Sequence, residues 1–188
     1  GASRSAIGAK SPLTGGFGVG EMGGFAGAEL KRAGFDAVIV QGRSQKPVYL
    51  WIKDGEAELR DATALWGKTT KETQEAIQAE VDEPRARCLM IGPGGENLVK
   101  YANIMDGLKD AAGRAGLGAV MGSKNLKAIA IRGTQTVDGA DPEKVRAMGR
   151  YMSDGVRAGT KAGHMHQFGT GADLVGMVHT GNLPTHNF

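Results

Sequence analysis

The chain has 188 residues, a formal net charge of +3 and an isoelectric point near 9.0. That length is enough to bury a core and suits one domain or slightly more. Aromatic residues make up only 5% of the chain, which argues against a surface that stacks nucleic-acid bases. The positive charge is mild and scattered, so small anionic ligands suit it better than DNA. The 31 glycines are dispersed through apolar segments, which excludes a collagen-like repeat or a flexible linker.

Cysteine and membrane signals are sparse. The one cysteine, Cys88, lies in the apolar run Arg87–Ile91, so we interpret it as a buried strand thiol. One cysteine can form neither a disulfide framework nor the ligand set of an iron–sulfur cluster. No apolar stretch approaches the ~18–20 residues needed to span a bilayer. Residues Gly1–Ser5 lack a signal-peptide layout and an initiator methionine, so we expect a piece of a longer, cytoplasmic protein.

The first forty residues predict short strands around a helix. Ser3–Ala9 alternates like a strand, and Lys10–Gly16 is rich in turn residues. A helix is predicted for Gly24–Ala33, with Gly34 ending it. The apolar segment Asp36–Gln41 is then predicted to be a strand.

A hairpin and a second helix follow. Val48–Lys53 and Glu56–Asp61 are predicted strands, and the Asp54-Gly55 pair between them is a strong hairpin signal. The next helix is predicted to begin at Thr69 or Thr70 and to end at Val81, with acidic residues near its positive end.

Two further strands are predicted at Cys88–Ile91 and Tyr101–Met105. The last part of the chain is helical in pattern and interrupted by glycines. Its first helix is predicted to begin with Asp141 as the cap and Pro142 in the first turn.

Two segments, Gly23–Gly42 and Arg114–Gly133, are similar to each other. Superposing them aligns small residues: Gly27 with Gly118, Ala28 with Ala119, Ala37 with Ala128 and Gly42 with Gly133. Each segment begins with glycines, continues through a short helix and ends in a β-branched strand. Backbone N–H groups before a helix can face an anion, so a duplicated phosphate site is one interpretation. A duplicated unit whose glycines only allow tight packing is the other.

Short strands around two internal helices, repeated once, predict an α+β fold rather than a doubly wound parallel sheet. We expect a duplicated strand–helix–strand unit with two mixed or antiparallel sheets around internal helices, followed by the start of a helical domain. The composition changes after Thr134, and we place a boundary near Val137–Gly139. The predicted domains are therefore residues 1–137 and 138–188.

A set of motifs in one order carries a family resemblance. The motifs are Lys10-Ser11-Pro12-Leu13-Thr14-Gly15, Gly27-Ala28-Glu29-Leu30-Lys31, Lys46-Pro47-Val48-Tyr49-Leu50, Trp66-Gly67-Lys68, Ile91-Gly92-Pro93 and Ala112-Gly113-Arg114 through Lys127. With them the chain resembles the aldehyde ferredoxin oxidoreductase family, from Arg4 to about Gly133. The match covers most of that family's N-terminal domain, and its first segment is missing. The tail Gly181–Phe188 resembles the start of the family's second, helical domain.

The resemblance implies a duplicated set of strands around a helix and an enzyme that oxidises aldehydes to carboxylic acids. Its cofactor would be a tungstopterin or molybdopterin, with two pterins per metal, beside a 4Fe-4S cluster. Ferredoxin or another carrier would accept the electrons, and a homodimer is one arrangement. The cluster cysteines and the general base would come from outside this chain, so no catalytic residue is assigned here. No nucleic acid and no membrane are implied.

The resemblance also assigns the cofactor-binding residues. Arg4 matches an arginine that reaches the pterin phosphates, and Gly23 matches the glycine of a first phosphate turn. The second turn matches Ala111, Gly113 and Arg114.

A magnesium ion that bridges the two phosphates would take the main-chain carbonyls of Glu21 and Ala111. Two residues depart from well-known family members, which have asparagine in place of Glu21 and arginine in place of Asp110. Because carboxylates repel phosphate, direct side-chain bonds to phosphate at these positions are not expected. The alternative role for Glu21 is metal coordination.

Other candidates are weaker. The His164-x-His166 pair has no cysteine or acid at ligand spacing, which argues against a metal site. Glu96-Asn97 either contacts a ligand or forms a capped turn. Five cations suggest a solvated basic face: Lys100, Lys109, Arg114, Lys124 and Lys127. Besides the aldehyde oxidoreductase, two functions stay open: an acyl-CoA ring-reducing relative, and a non-redox module that binds a phosphorylated small molecule.

Overall fold

A computed structural model describes residues 4–137, 139–158 and 161–184 of the chain. Contacts divide the chain into two compact units, Gly1–Val137 and Asp138–Phe188. Among the sequence-based candidates, the side chain of His164 and the last residues of the tail, 185–188, lie outside the described residues.

The described residues contain strands, α-helices and two short 3-10 helices. The strands are β1 (Ser5–Lys10), β2 (Phe17–Met22), β3 (Val48–Lys53), β4 (Glu56–Asp61), β5 (Arg87–Met90), β6 (Ile104–Asp106), β7 (Asp110–Ala112) and β8 (Leu126–Arg132). The α-helices are α1 (Ala26–Arg32), α2 (Thr70–Glu80), α3 (Pro93–Glu96), α4 (Leu117–Ser123), α5 (Pro142–Arg157), α6 (Lys161–Phe168) and α7 (Leu174–His179). The 3-10 helices are Thr63–Leu65 and Gly169–Asp173.

Unit 1 contains a two-stranded sheet, β1-β2, and a six-stranded sheet of order β4-β3-β8-β5-β6-β7. Among the described strands, β3 and β8 are the one parallel pair, and the other pairs are antiparallel. Helix α1 packs on β8 and β5, whereas α4 packs on β8 and also on β1 and β2. The predicted α+β class, with two mixed or antiparallel sheets around internal helices, is therefore confirmed.

Strand β8 is buried on both faces and forms the centre of the core. Its Ala128 and Ala130 pack in one cluster with Ile77 of α2. Ile131, on the other face, packs in a second cluster with Ala26 of α1. Alternating side chains of one strand thus hold a helix on each side of the sheet.

Local signals in the sequence predicted several elements correctly. Asp54 and Gly55 both have positive φ, of 44° and 97°, in the turn between β3 and β4, as the hairpin signal requires. Helix α2 begins with a capping box: Thr69 Oγ1 accepts from the Glu72 N–H at 3.3 Å, and a Glu72 carboxylate oxygen accepts from the Thr69 N–H at 2.9 Å.

The predicted strand at Asp36–Gln41 is wrong for this structure, because those residues belong to neither sheet. Ile39 in this segment is 84% exposed. A β-branched sequence becomes a strand only when a neighbouring strand takes its backbone hydrogen bonds, and this segment has none among the described residues. The strand predicted at Tyr101–Met105 begins later, at Ile104.

Unit 2 is helical, with α5, α6, a 3-10 helix and α7 in sequence. Helix α5 begins as predicted: an Asp141 carboxylate oxygen accepts from the Lys144 N–H at 2.9 Å, and Pro142 lies in the first turn. Among the described residues, no helix is both long and apolar enough to cross a membrane.

Candidate cofactor-binding site

The structure brings together the two segments that the resemblance assigns to phosphate. The end of β2 lies against β7, so that a methyl group on Gly23 would approach Asp110 Oδ1 to 2.6 Å. A methyl group on Gly20, further back in β2, would lie 3.1 Å from Ala112 Cβ. Glu21 and Gly23 therefore lie beside Asp110–Ala112, although about ninety residues separate them in sequence.

Two arginines flank this region. Arg4 comes directly before β1, whose Ser5 lies opposite Met22 of β2, so its backbone runs beside the Gly23 turn. Arg114 follows Gly113 after β7, and the side chains of both arginines are exposed. Neither arginine forms an ion pair with another described residue. Both guanidinium groups can therefore bind an anion without first breaking a protein contact.

The turn glycines differ in what surrounds them. Neither Gly23 nor Gly113 has a positive φ, so their backbone conformations do not require glycine. A side chain at Gly23 would press on Asp110, whereas a Cβ at Gly113 would meet no atom within 4 Å. Gly113 consequently leaves open space beside Arg114.

The N-terminus of α1 is occupied by a carboxylate of the protein. Asp106 is 5% exposed, and its Oδ2 accepts from the Ala26 N–H at 2.9 Å. Burial raises the pKa of Asp106, while hydrogen bonds from the N–H groups of Ala26 and Phe25 oppose that rise. The repeat pattern suggested a ligand anion at this helix end, and the structure instead places Asp106 there.

The turn before α1 is built around this carboxylate. Gly24 has a φ of +85°, and any side chain on it would overlap Asp106. The next residue, Phe25, stacks under the Arg87 guanidinium, with 4.6 Å between Arg87 Cζ and the ring centroid. The sequence analysis did not identify Asp106 as a functional residue. The feature that could have identified it is an acidic residue placed directly after the apolar pair Ile104-Met105.

Helix α4 in the second repeat uses a neutral acceptor. Its Gly118 N–H donates to the carbonyl of Ala102 at 2.9 Å. The helix begins after Gly116, which has a φ of +68°. In both repeats, then, a backbone N–H in the first turn of the helix is bonded within the protein. The turns that precede the two helices, at Gly23 and at Gly113, are the sequence-predicted positions that these bonds leave free.

Glu96 and Lys127 form a structural ion pair. Their side chains are 4% and 0% exposed, and Lys127 Nζ also donates to the carbonyl of Lys68 at 2.9 Å. Glu96 Oε2 accepts from the Gly67 N–H at 2.7 Å. Lys127 therefore does not belong to a solvated basic face, and both Glu96 carboxylate oxygens are bonded within the protein.

The described residues contain no cluster of metal-ligating side chains, and their one cysteine is buried. No group of three or more His, Cys, Asp or Glu side chains in the described residues could hold a metal ion. Cys88 is buried, and burial raises the pKa of its thiol to about 12. Its thiol therefore stays protonated at neutral pH, as the buried-thiol interpretation predicts.

A cavity of about 640 Å³ lies next to β1. Its lining is mostly apolar and comes from β1, α1, residues 36–40, α4 and the six-stranded sheet. The charged residues in the lining are Arg4, Asp36 and Lys124. Of the six predicted cofactor-binding residues, only Arg4 lines this cavity.

Two curated relatives are tungsten-containing aldehyde ferredoxin oxidoreductases. The chain is 48% identical over 181 residues to the tungsten-containing aldehyde ferredoxin oxidoreductase of Pyrococcus furiosus, covering 95% of this chain and 30% of that protein. It is 49% identical, with the same coverage, to the protein of that name from Thermococcus kodakarensis. The chain thus spans about 30% of the length of these curated relatives.

A solved structure is also similar. The active-site complex BamBC of benzoyl coenzyme A reductase, in complex with 1,5-dienoyl-CoA, aligns with a TM-score of 0.79 and 42% identity. The alignment covers 83% of this chain and 24% of that one. The family model for the aldehyde ferredoxin oxidoreductase N-terminal domain matches residues 1–133. The chain therefore belongs to the aldehyde ferredoxin oxidoreductase family.

Proposed function

We propose that unit 1 holds the phosphate end of a tungstopterin or molybdopterin cofactor, with two pterins per metal. The longer protein would oxidise aldehydes to carboxylic acids in the cytoplasm and pass electrons to ferredoxin or another carrier. Family membership and the names of the relatives support this proposal. The observation that carries it is the meeting of β2 and β7, which brings the two glycine turns to one region of the surface.

Each predicted residue has a task in this proposal. Arg4 and Arg114 bind phosphate oxygens through charge-assisted hydrogen bonds, which their unpaired guanidinium groups allow. Gly23 and Gly113 let phosphate approach the backbone, most clearly at Gly113, where a side chain would enter open space. The carbonyl oxygens of Glu21 and Ala111 are hard ligands of the kind that Mg²⁺ prefers.

The two carboxylates at this site suit a bound cation. Glu21 is exposed on β2, and Asp110 lies against Gly23. Two phosphates placed beside them would suffer like-charge repulsion unless a cation lay between. A magnesium ion removes that repulsion, so the departures from the family pattern strengthen the need for it.

Chemistry beyond binding comes from outside this chain. When bound, the metal–pterin cofactor supplies oxygen and electron transfer, while the protein orients it, neutralises its phosphates and excludes water. The 4Fe-4S cluster needs cysteine thiolates, and the buried Cys88 thiol is not one. We therefore expect the 188-residue chain to contain no iron and to give no aldehyde-dependent reduction of a viologen dye.

The sharpest test is Gly113→Val in the longer protein. Apart from the neighbouring residues in the chain, no described atom lies within 4 Å of the new Cβ, so thermal stability should change little while the tungsten, molybdenum and pterin content falls. Gly94→Val is the matched control, because Gly94 is also exposed, has no positive φ and has no atom within 4 Å of its Cβ position. Full cofactor content in Gly113→Val would refute this placement of the site.

A second variant tests whether the positive charge of Arg114 is needed to hold the cofactor. Arg114→Ala should lower the cofactor content, since a charge-assisted hydrogen bond contributes about 1.5–3 kcal/mol. Lys109→Ala removes an exposed cation from the neighbouring turn and should leave the cofactor in place. A metal content in Arg114→Ala equal to that of Lys109→Ala and of the parent protein would show that Arg114 is only a surface charge.

A related activity is favoured by one observation. The structural similarity to benzoyl coenzyme A reductase supports acyl-CoA ring reduction as the second candidate. Dye-linked assays of the longer protein with an aldehyde and with an aromatic acyl-CoA decide between the two. Homodimer formation, the remaining part of the proposal, is tested by the mass of the longer protein in solution.

A further inference from the structure

The side chain of Asp106 connects the two turns that the proposed function assigns to phosphate. Asp106 is the last residue of β6, and the register of β6 and β7 places it opposite Asp110. The second turn, at Gly113, follows directly after β7. Asp106 Oδ2 accepts at 2.9 Å from the N–H of Ala26, which comes three residues after the first turn at Gly23. One buried carboxylate therefore joins the hairpin that carries the second turn to the helix that follows the first.

The first turn is held against the hairpin of β6 and β7 at both of its ends. Before the turn, Met22 is 2% exposed and packs in one apolar cluster with Ile104 of β6 and Ala112 of β7. After the turn, the bond to Asp106 holds the start of α1. Between these two points, a Cβ on Gly24 would lie 3.0 Å from Asp106 Cβ and closer still to its carboxylate. The backbone of the first turn therefore follows the hairpin closely.

A helix cap alone does not explain a carboxylate at this position. Helices α2 and α5 are capped by the side chain of the residue directly before them, Thr69 and Asp141. In α1 that residue, Phe25, forms no side-chain cap hydrogen bond, and the acceptor comes from 80 residues away. Burial of a carboxylate costs free energy that a cap at the surface does not. What the long-range cap adds is a fixed position of α1 relative to β6.

We propose that Asp106 is a positioning residue for the cofactor, and that it sets the spacing between the turns at Gly23 and Gly113 so that both turns can bind the phosphates at once. This role rests on the proposed function of unit 1 and extends it to a residue that touches no ligand. Groups that bind a ligand lose affinity when the residues that support them leave them even slightly displaced. The spacing of the two turns is therefore as important as the turns themselves.

The length of the side chain matters more than its charge in this role. Asparagine has the same length as aspartate, and its amide oxygen can still accept from the Ala26 N–H. Glutamate keeps the charge but is one methylene longer. Because Gly24 is in close contact with Asp106, the extra methylene has no room and must displace the first turn.

Three variants of Asp106 in the longer protein separate length from charge. The metal and pterin content should fall about fivefold or more in Asp106→Ala and in Asp106→Glu. Asp106→Asn should keep about half or more of the parent content. The control for general destabilisation is Ile77→Ala, which removes a fully buried side chain from the cluster beneath α2. Ile77→Ala should lower the melting temperature and keep the cofactor.

Full cofactor content in Asp106→Ala or in Asp106→Glu overturns the proposal. A loss in Asp106→Asn or in Ile77→Ala as large as that in Asp106→Ala also overturns it, because charge or general stability would then be the cause. Gly113→Val separates these results from a failure of the proposed function. If Gly113→Val keeps its cofactor, the site itself is misplaced. If Gly113→Val loses its cofactor and the Asp106 variants keep theirs, only the role of Asp106 is refuted.

Amide hydrogen exchange tests the same role without a variant that has to fold. The Ala26 N–H lies in the first turn of α1 and has no partner within the helix, so its protection reports the bond to Asp106. In the longer protein, produced in a host that makes no molybdopterin, this amide should exchange about 100-fold or more slowly than in an unfolded chain. Exchange at the unfolded rate in that protein overturns the proposal, because the cofactor rather than Asp106 would then order the turn.

Discussion

The two repeats differ in what lies beside their last segment. In the second repeat, β8 follows α4 and pairs with β3 on one side and β5 on the other. In the first repeat, residues 36–41 follow α1 and pair with no strand in the described part of the chain. Both segments are apolar and rich in β-branched residues. Their different conformations show that a strand depends on its neighbours more than on its own composition.

The repeats also differ in the solvent exposure of the ion pair that a lysine forms with a carboxylate. The Lys127–Glu96 pair, with Lys127 in β8, has side chains that are 0% and 4% exposed. The Lys31–Asp36 pair of the first repeat has side chains that are 53% and 83% exposed. Solvent screens the exposed pair far more than the buried one, so loss of one partner should be far more costly in the second repeat.

The largest expected effect is that of Glu96→Gln. The variant removes the one carboxylate that forms an ion pair with the buried Lys127 ammonium among the described residues, which costs about 3–5 kcal/mol. Asp36→Asn should cost at most about 1 kcal/mol, because exposed pairs contribute little. Urea denaturation of both variants, compared at equal slope, measures the difference.

A double variant separates charge from packing. Lys127→Met with Glu96→Leu leaves no unpaired charge, so it should recover much of the stability that Glu96→Gln loses. If Glu96→Gln and Asp36→Asn lowered the free energy of unfolding equally, the buried pair would contribute no more to stability than the exposed pair.

The next effect concerns the aligned glycines Gly27 and Gly118. Gly118→Ala drives a methyl group into the backbone carbonyl of Asn103, which cannot rotate away, so we expect a loss of about 1–3 kcal/mol or more. Gly27→Ala meets only the Ser5 hydroxyl, which can rotate away. The gain in helix propensity, up to about 1 kcal/mol, should then leave Gly27→Ala near neutral.

Thermal or urea unfolding of the two alanine variants measures this asymmetry. If Gly27→Ala were as destabilising as Gly118→Ala, the start of β1 would be held as rigidly as the start of β6.

Elements with a local signal were predictable from the sequence. The β3-β4 turn follows from Asp54-Gly55, and α2 follows from its Thr69–Glu72 capping box. Strand β2 was missed because its buried positions include Gly18 and Gly20, which give no apolar alternation. Its buried face is set by close approach to Ala112 and Ala115, far along the chain.

The candidate site was predictable only in part. Glycines before helices suggested anion sites, and the family resemblance assigned Gly23 and Gly113 to phosphate turns. Neither argument could place Asp106 at the end of α1, because that contact joins residues eighty positions apart. Long-range contacts of this kind are decided by sheet register and packing, which a single sequence does not display.

The smallest expected effect is a difference in pH dependence between the two helix N-termini. Helix α4 bonds the carbonyl of Ala102, which cannot titrate, whereas α1 bonds the carboxylate of Asp106. Burial raises the pKa of Asp106 in the folded protein. A raised carboxyl pKa means that the folded state binds the proton more tightly than the unfolded state does. The stability that this adds is present below the ordinary aspartate pKa and is lost as the pH rises through the folded pKa.

Asp106→Asn tests this sign, because the amide oxygen of asparagine can still accept from the Ala26 N–H but cannot titrate. We expect the free energy of unfolding to vary less with pH, from the ordinary aspartate pKa upward, than in the parent chain. Asp61→Asn is the opposite control: hydrogen bonds from Lys46 and Thr63 lower the pKa of Asp61 to about 2, so its contribution is lost as the pH falls. A pH profile unchanged in Asp106→Asn would mean that this carboxyl is hydrated enough to behave as an ordinary one. The N-terminus of α1 would then be open to solvent, and to a phosphate, in a way that the N-terminus of α4 is not.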